Sequence, residues 1–334
     1  NAGGSAPLGR VADLVSEYMR RWPVQLGASY AESAEASERL SFARQEIAGI
    51  LEASSSASPT ADEIVIGAST SSLLSRLARS LAPSLGAGDE IIVTDVDHEA
   101  NITPWRRLAA SGVNVLTWNL NADSQRLEPE DLRKLLSDRT RLVCFTHASN
   151  ILGETTPVAR ITRLAHDYGA RVVVDGVAYA PHRPMDVRRW EVDFYAFSLY
   201  KVYGPHLGLM YLRRDLQERL ASRNHFFIGP EEGSYRFEPG NVNHELTASL
   251  PAIPEYLREL GGRSGEEATL EGAFRAITDH ETRLAAPVLE FLAGQRQVQR
   301  RRAEHHDVRR TPGMDQAPIR DQGHSLPGRQ DSRQ

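Results

Sequence analysis

The chain has a single cysteine, Cys144, and two lysines, Lys134 and Lys201, among its 334 residues. One cysteine excludes a disulfide framework and a cysteine-based metal cluster within the chain. No run approaches the roughly 18 apolar residues of a membrane span. The opening Asn1-Ala-Gly-Gly-Ser lacks the basic and apolar blocks of a signal peptide. The expectation is a cytoplasmic protein without a membrane partner. Net charge is a mild −5 and no RNA-binding or zinc-finger signature is present, so a nucleic-acid partner is not expected either.

The scarcity of lysine is informative in itself. Of 39 basic residues, 37 are arginine, as if positions needing only a cation had drifted to that residue. Arginine stays protonated. A lysine whose pKa of about 10.4 is lowered by its surroundings supplies a neutral amine nucleophile. Lys134 falls in a charged helical stretch, 128–138, and reads as a surface residue. Lys201 ends the run Asp193-Phe-Tyr-Ala-Phe-Ser-Leu-Tyr-Lys201, just before a turn at Gly204-Pro205. It reads either as a surface lysine at a strand end or as an amine delivered by a buried strand to the edge of a sheet.

Between residues 60 and 215 short apolar runs alternate with helical stretches. Strands are expected at 63–66, 90–94, 113–118, 142–146, 171–175 and 194–198, and helices at 70–82, 104–110, 129–136 and 158–168. This alternation predicts an α/β fold with a mainly parallel sheet covered by helices on both faces. Further helices are expected at 10–21, 37–51, 253–260 and 268–291. From residue 295 the character changes: forty residues hold five large apolar side chains, with nine arginines against five acids and no periodicity. Such a segment cannot bury enough surface to offset its ordering entropy. It reads either as a disordered low-complexity tail or as the product of a displaced reading frame after about Gly294.

Ligands of an open parallel sheet bind at the carboxyl ends of its strands, and those ends carry a coherent set of groups. The first opens through Gly67-Ala-Ser69-Thr70-Ser71-Ser72 into a helix. This suits an anion at a helix N-terminus, although hydroxyl residues there are also ordinary caps. The second strand leads to Asp97-His98-Glu99, the fourth to Thr146-His147-Ala-Ser149-Asn150, the fifth to Asp175, and the last to Ser198, Tyr200 and Lys201. A carboxylate ending a buried strand, as Asp175 does, is costly unless paired or hydrogen-bonded. His98, Glu99 and His147 suggest a metal hydrolase. However, neighbours on an extended strand point to opposite faces and no matching ligand pair is evident, so no metal is expected. An amine, an acid, a flat aromatic neighbour and a phosphate cradle together fit pyridoxal 5′-phosphate. In that reading Lys201 forms an aldimine and Asp175 keeps the pyridine nitrogen protonated. His98 stacks on the ring, Asn150 bonds the ring hydroxyl, and Thr70, Ser71 and Ser198, with Ser69 and Tyr200 beside them, bind the phosphate end.

Asp97-His-Glu-Ala-Asn-Ile-Thr-Pro-Trp105, Thr146-His-Ala-Ser-Asn-Ile-Leu-Gly153, Val174-Asp-Gly176 and Phe197-Ser-Leu-Tyr-Lys-Val-Tyr-Gly-Pro205 resemble the cysteine desulfurase-like, class V aminotransferase family of fold-type-I enzymes. Arg236-Phe-Glu-Pro-Gly-Asn241 resembles the family's later loop, and Asn1-Ala-Gly-Gly the start of its fold. The resemblance runs in order from residue 1 to about 250. It implies a large domain around a seven-stranded sheet and chemistry at the α- or β-carbon of an amino-acid substrate. It also implies a homodimer in which Asn241 reaches toward the partner's phosphate. Glu238 and His244, in and after the same loop, are weaker candidates. The corresponding division is an N-terminal segment at 1–21, a cofactor-binding large domain at 22–255, a helical remnant of a largely missing small domain at 256–294, and the tail at 295–334.

The pattern is broken in four places. Ala178 stands where desulfurases often carry Gln and some relatives His. Asn241 stands where Thr is common, and Tyr200 where desulfurases often have His. The small domain's substrate-binding arginine and persulfide-forming cysteine have no counterpart before the tail begins, and Cys144 reads as a small core residue. The expected function is a pyridoxal-phosphate enzyme acting on an amino acid, as a C–S lyase or an aminotransferase. The alternative is a truncated, catalytically impaired cofactor-binding paralogue.

Overall fold

Short runs of Val, Ile, Leu and Phe bounded by Gly, Asp and Ser become seven strands in the computed structural model, which describes residues 7–52, 58–265 and 267–295. They are β1 (Ile64–Gly67), β2 (Glu90–Thr94), β3 (Asn114–Trp118), β4 (Thr140–Thr146), β5 (Arg171–Asp175), β6 (Phe194–Ser198) and β7 (Gly208–Leu212). Their order across one sheet is β1-β7-β6-β5-β4-β2-β3. Strands β2 to β6 are mutually parallel, and β7 runs antiparallel to both of its neighbours. The mostly parallel α/β architecture therefore stands as the sequence predicted. The individual strand predictions missed β7, whose Gly-Leu-Met-Tyr-Leu sequence starts on glycine directly after a turn.

The helices are α1 (Gly9–Arg21), α2 (Ala31–Ala48), α3 (Thr70–Leu81), α4 (Thr103–Arg106), α5 (Pro129–Arg133), α6 (Val158–Asp167), α7 (Arg214–Gln217), α8 (His244–Ala248), α9 (Ala252–Arg263) and α10 (Leu270–Ala293). Side chains alternate along each strand between two cores. In β4, Leu142 and Cys144 enter one, while Val143 and Phe145 enter the other. The first core is closed by Leu73, Leu74, Leu77 and Leu81 of α3 with Trp105. The second is closed by Ile161 and Leu164 of α6, Ile253 and Leu257 of α9, and Phe274 and Ile277 of α10. Each such buried side chain contributes about 1.5–3 kcal/mol. With both faces covered, only the strand ends remain open for a ligand.

The chain divides into two compact units, 1–283 and 284–334. All seven strands belong to the first. The described residues of the second are 284–295, where Leu284, Val288, Leu289 and Phe291 are exposed. The segment read as a tail lies, beyond residue 295, outside the described residues. No helix among those described is long and apolar enough to cross a membrane.

Candidate active site

The chain order reverses direction between β2 and β4: from β2 it moves outward to β3, and from β4 inward through β5 and β6. Such a switch point opens a crevice at the carboxyl ends of the strands. A cleft of about 80 Å³ lies there, lined by Thr70, Ser71, His98, Ala100, Thr146, Ala148, Asn150, Asp175, Val177, Ala178, Ser198, Tyr200 and Lys201. The segments after β1, β2, β4, β5 and β6 all contribute. Thus eight of the ten residues singled out from sequence share one cavity.

The segments are shaped locally to do this. Ser69 caps α3 by accepting the Ser72 N–H at 3.1 Å, so its hydroxyl acts as an ordinary cap, and Thr70 and Ser71 are the residues that face the cleft. The Thr70 and Ser198 hydroxyls lie 2.8 Å apart. A Cβ on Gly208 would lie 2.4–2.5 Å from Ser69 C and Thr70 N, so only glycine lets β7 press against the start of α3. Lys201 ends a single 3₁₀ turn, Leu199–Lys201, that follows β6 directly. The Leu207 carbonyl accepts the Leu199 N–H at 2.9 Å and fixes where that turn begins.

Asp175 is buried at the end of β5. Its Oδ1 accepts the Val177 N–H at 2.9 Å, and among the described residues its other oxygen has no hydrogen-bond partner. Burial raises its pKa, opposed by Val177 and by the charges of His98 and Lys201. A carboxylate so placed lacks one cationic donor, which is what a protonated pyridine nitrogen would provide. With the amine and the hydroxyl pair beside this half-satisfied carboxylate, the donor chemistry of the residues present fits pyridoxal phosphate.

Asp97, His98 and Glu99 lie beyond the end of β2 at Thr94. His98 precedes a 3₁₀ turn at Glu99–Asn101 and accepts the Ala100 N–H on Nδ1 at 3.1 Å. The argument from alternating strand faces therefore does not apply to Asp97, His98 and Glu99. Asp97 is buried, and Glu99 bonds the Thr103 hydroxyl. His147 lies outside the cleft, stacked on Tyr179 at 3.4 Å and bonded to the Tyr195 hydroxyl at 3.0 Å. Burial lowers its pKa to about 3, so it is neutral. No group of three or more acidic, His or Cys side chains able to hold a metal ion occurs among the described residues.

Arg236 and Glu238 of the later loop are held by contacts within the chain. Arg236 donates to the Gln217 and Leu220 carbonyls. Glu238 pairs with Arg44 and accepts the Ile66 N–H at 2.6 Å. Asn241 lines a separate cavity with Arg76, His206 and Asn243, and His244 Nε2 is buried without a hydrogen-bond partner among the described residues. Sequence reasoning missed Asp97, whose pKa burial pushes up to about 7. The signal was present as an acid between two residues of an apolar strand-end motif. It also missed the stacking of Tyr200 on His206, whose rings lie 4.9 Å apart.

The aminotransferase class-V family model matches residues 1–305. The chain is 40% identical over 305 residues to the aminotransferase-like protein FGM3 of Gibberella zeae, covering 89% of this chain and 72% of that one. It is 33% identical over 308 residues to the cysteine desulfurase-like protein ustD of Aspergillus flavus, covering 90% of this chain and 66% of that one. The crystal structure of the cysteine desulfurase CsdA from Escherichia coli superposes with a TM-score of 0.66 at 26% identity, over 79% of this chain and 71% of that one. The chain thus spans about two thirds to three quarters of the length of these proteins.

Proposed function

The chain belongs to the aminotransferase class-V family, and on that footing we propose that it is a pyridoxal-phosphate enzyme acting on an amino acid, as a cysteine desulfurase-like C–S lyase or an aminotransferase. The observation that carries this reading is the convergence of Lys201, Asp175 and His98 on one cleft that begins at the Thr70–Ser198 hydroxyl pair. Bound there, pyridoxal phosphate supplies an aldehyde for amine exchange and a ring that stabilises negative charge at the substrate's α-carbon. Lys201 would anchor the group through its amine, and the same amine, when free, would serve as the base for the α-carbon proton. Asp175 accepts the N–H of the ring nitrogen and keeps it protonated. His98 would stack on the ring, and Asn150 would donate to the ring oxygen. Thr70 and Ser71 at the start of a 12-residue helix, with Ser198 at the end of β6, would hold the phosphate. Tyr200 closes the wall beside Lys201.

Cys144 does not carry sulfur in this scheme. It is fully buried in β4, and burial pushes its thiol pKa well above the ordinary value, which removes the thiolate a persulfide relay requires. The active form is a homodimer in which Asn241 approaches the partner's cleft.

The test is the visible absorption of the protein purified with pyridoxal phosphate, before and after borohydride, followed by peptide mass spectrometry. A reducible band, with the pyridoxyl group on Lys201 and neither in Lys201→Ala, is expected. A folded protein without that band sinks the proposal. A band that no amino acid perturbs leaves a cofactor-binding chain without turnover.

A further inference from the structure

Asp97 is buried to 7% exposure at the end of β2, and the chemistry assigned above gives it no part. Its oxygens receive three hydrogen bonds from three directions. Oδ1 accepts from Asn101 Nδ2 at 2.7 Å, four residues on and across the turn that carries His98. Oδ2 accepts the Thr146 N–H at 3.0 Å and the Thr94 hydroxyl. The parallel ladder between β2 and β4 ends at Ile92 and Val143, so Thr146 has no partner strand on that side. The Asp97 carboxylate takes the ladder's place where the sheet splits to form the cleft.

The partners are oriented for an acceptor. Trp105 Nε1 donates to Asn101 Oδ1 at 3.1 Å, which turns the Asn101 amide nitrogen toward Asp97. The Asn101 N–H in turn donates to the His98 carbonyl at 2.8 Å. We infer that Asp97 is a positioning residue: its carboxylate staples the turn presenting His98 to the end of β4, and its proton occupancy sets how firmly His98 is held at the cleft. The ionised form satisfies all three donors. The protonated form must spend its O–H on one of them, and the Thr94 hydroxyl is the only partner that can accept it.

Which form prevails is balanced near neutrality. Burial pushes the Asp97 pKa to about 7, helped by the charge of Asp175 and opposed by the Thr94, Asn101 and Thr146 hydrogen bonds. The titratable groups facing it are Asp175 from β5 and Cys144 from β4, with His98 and Lys201 acting on Asp175. Raising the pH through about 7 therefore tightens the staple, and lowering it loosens the staple.

The consequence for cofactor binding rests on the pyridoxal-phosphate reading; the geometry does not, and the experiment separates the two. In the full-length, cofactor-free chain with labelled histidines, the His98 ring proton is followed by NMR against pH. The wild type is expected to show a step near neutral pH that Asp97→Asn lacks, because an amide in place of the two carboxylate oxygens cannot accept from both Asn101 and Thr146. In parallel, pyridoxal-phosphate affinity of the wild type is expected to fall about tenfold from about pH 8 to about pH 6, and that of Asp97→Asn to be about tenfold weaker throughout and flat. An unchanged His98 signal in Asp97→Asn overturns the inference. If the wild type binds no pyridoxal phosphate, the cofactor reading fails while the His98 signal still decides on Asp97. Should Asp97→Asn not fold, Trp105→Phe frees the Asn101 amide and must alter the same neutral-pH step; no alteration overturns the inference.

Discussion

The hydroxyls of Thr70 and Ser198 meet at 2.8 Å, joining the first residue of α3 to the last residue of β6 across 128 positions of sequence. Each leaves the other a buried, paired oxygen at one end of the cleft. Replacing Thr70 by Val keeps the shape and removes one hydroxyl. An unpaired buried polar group costs about 1–3 kcal/mol, so pyridoxal-phosphate affinity should fall about ten- to a hundredfold. Titration by absorbance checks this. Undiminished affinity would reduce the pair to a clamp between helix and strand.

Gly208→Ala places a methyl group against the backbone of Ser69 and Thr70. Backbone cannot rotate away as a side chain can, so a loss of about 1–3 kcal/mol is expected from overpacking. The midpoint of thermal unfolding should drop accordingly, together with cofactor retention. Gly86→Ala is the control, since its nearest neighbour would be Asp89 Oδ2 at 3.8 Å; its midpoint should not fall.

Glu238→Gln breaks the pair with Arg44, whose side chains are 1% and 17% exposed. Removing one member of a buried pair leaves the other charge uncompensated, at a cost of about 3–5 kcal/mol. The urea midpoint should fall strongly, and β1, which Glu238 grips through the Ile66 N–H, should lose protection from amide exchange. A small effect would mean that solvent reaches Arg44 in the variant.

His147 makes the protein acid-sensitive in a defined window. Its folded pKa is depressed to about 3 by burial, from an ordinary 6.5. The unfolded chain therefore binds a proton that the folded chain refuses. The stabilisation is present above pH 6.5 and is lost as pH falls toward 3, on the order of a few kcal/mol in all. Asp97 works in the opposite sense: its raised pKa favours the folded state at low pH, and that contribution disappears as pH rises through about 7. The difference between wild type and His147→Gln isolates the histidine. Its unfolding free energy should converge on that of the variant as pH drops from 6.5 toward 3.

Strand positions were legible where β-branched and aromatic residues run uninterrupted: β2, β5 and β6 begin and end where the sequence predicts them. The start of α2 was not legible, because its buried face is made partly of Ser33, Ala36 and Ala43. Small side chains allow close packing without leaving an apolar stripe to read. The cleft was legible because strand ends interrupt apolar runs with polar residues, and eight such residues converge. Asp97 was not, since its role depends on Thr146, 49 residues away, and on where one ladder stops. Asn241 lies in another cavity of the same chain, so no reading of one chain places it at the cleft.

The reversed strand β7 has a kinetic consequence. By pairing antiparallel with β1 and β6, it makes those two strands point the same way, so Gly67 and Ser198 open on one edge. Strands β2 to β6 need only contacts along their own stretch of chain, whereas β1 must wait for Tyr211 to pair with Ile64. Loop closure over that span is slow. The parallel body can assemble first, and the Thr70–Ser198 hydroxyl pair comes together only when the last strand is laid down. The cleft is thus completed late in folding, and the meeting of its walls during refolding marks completion of the sheet.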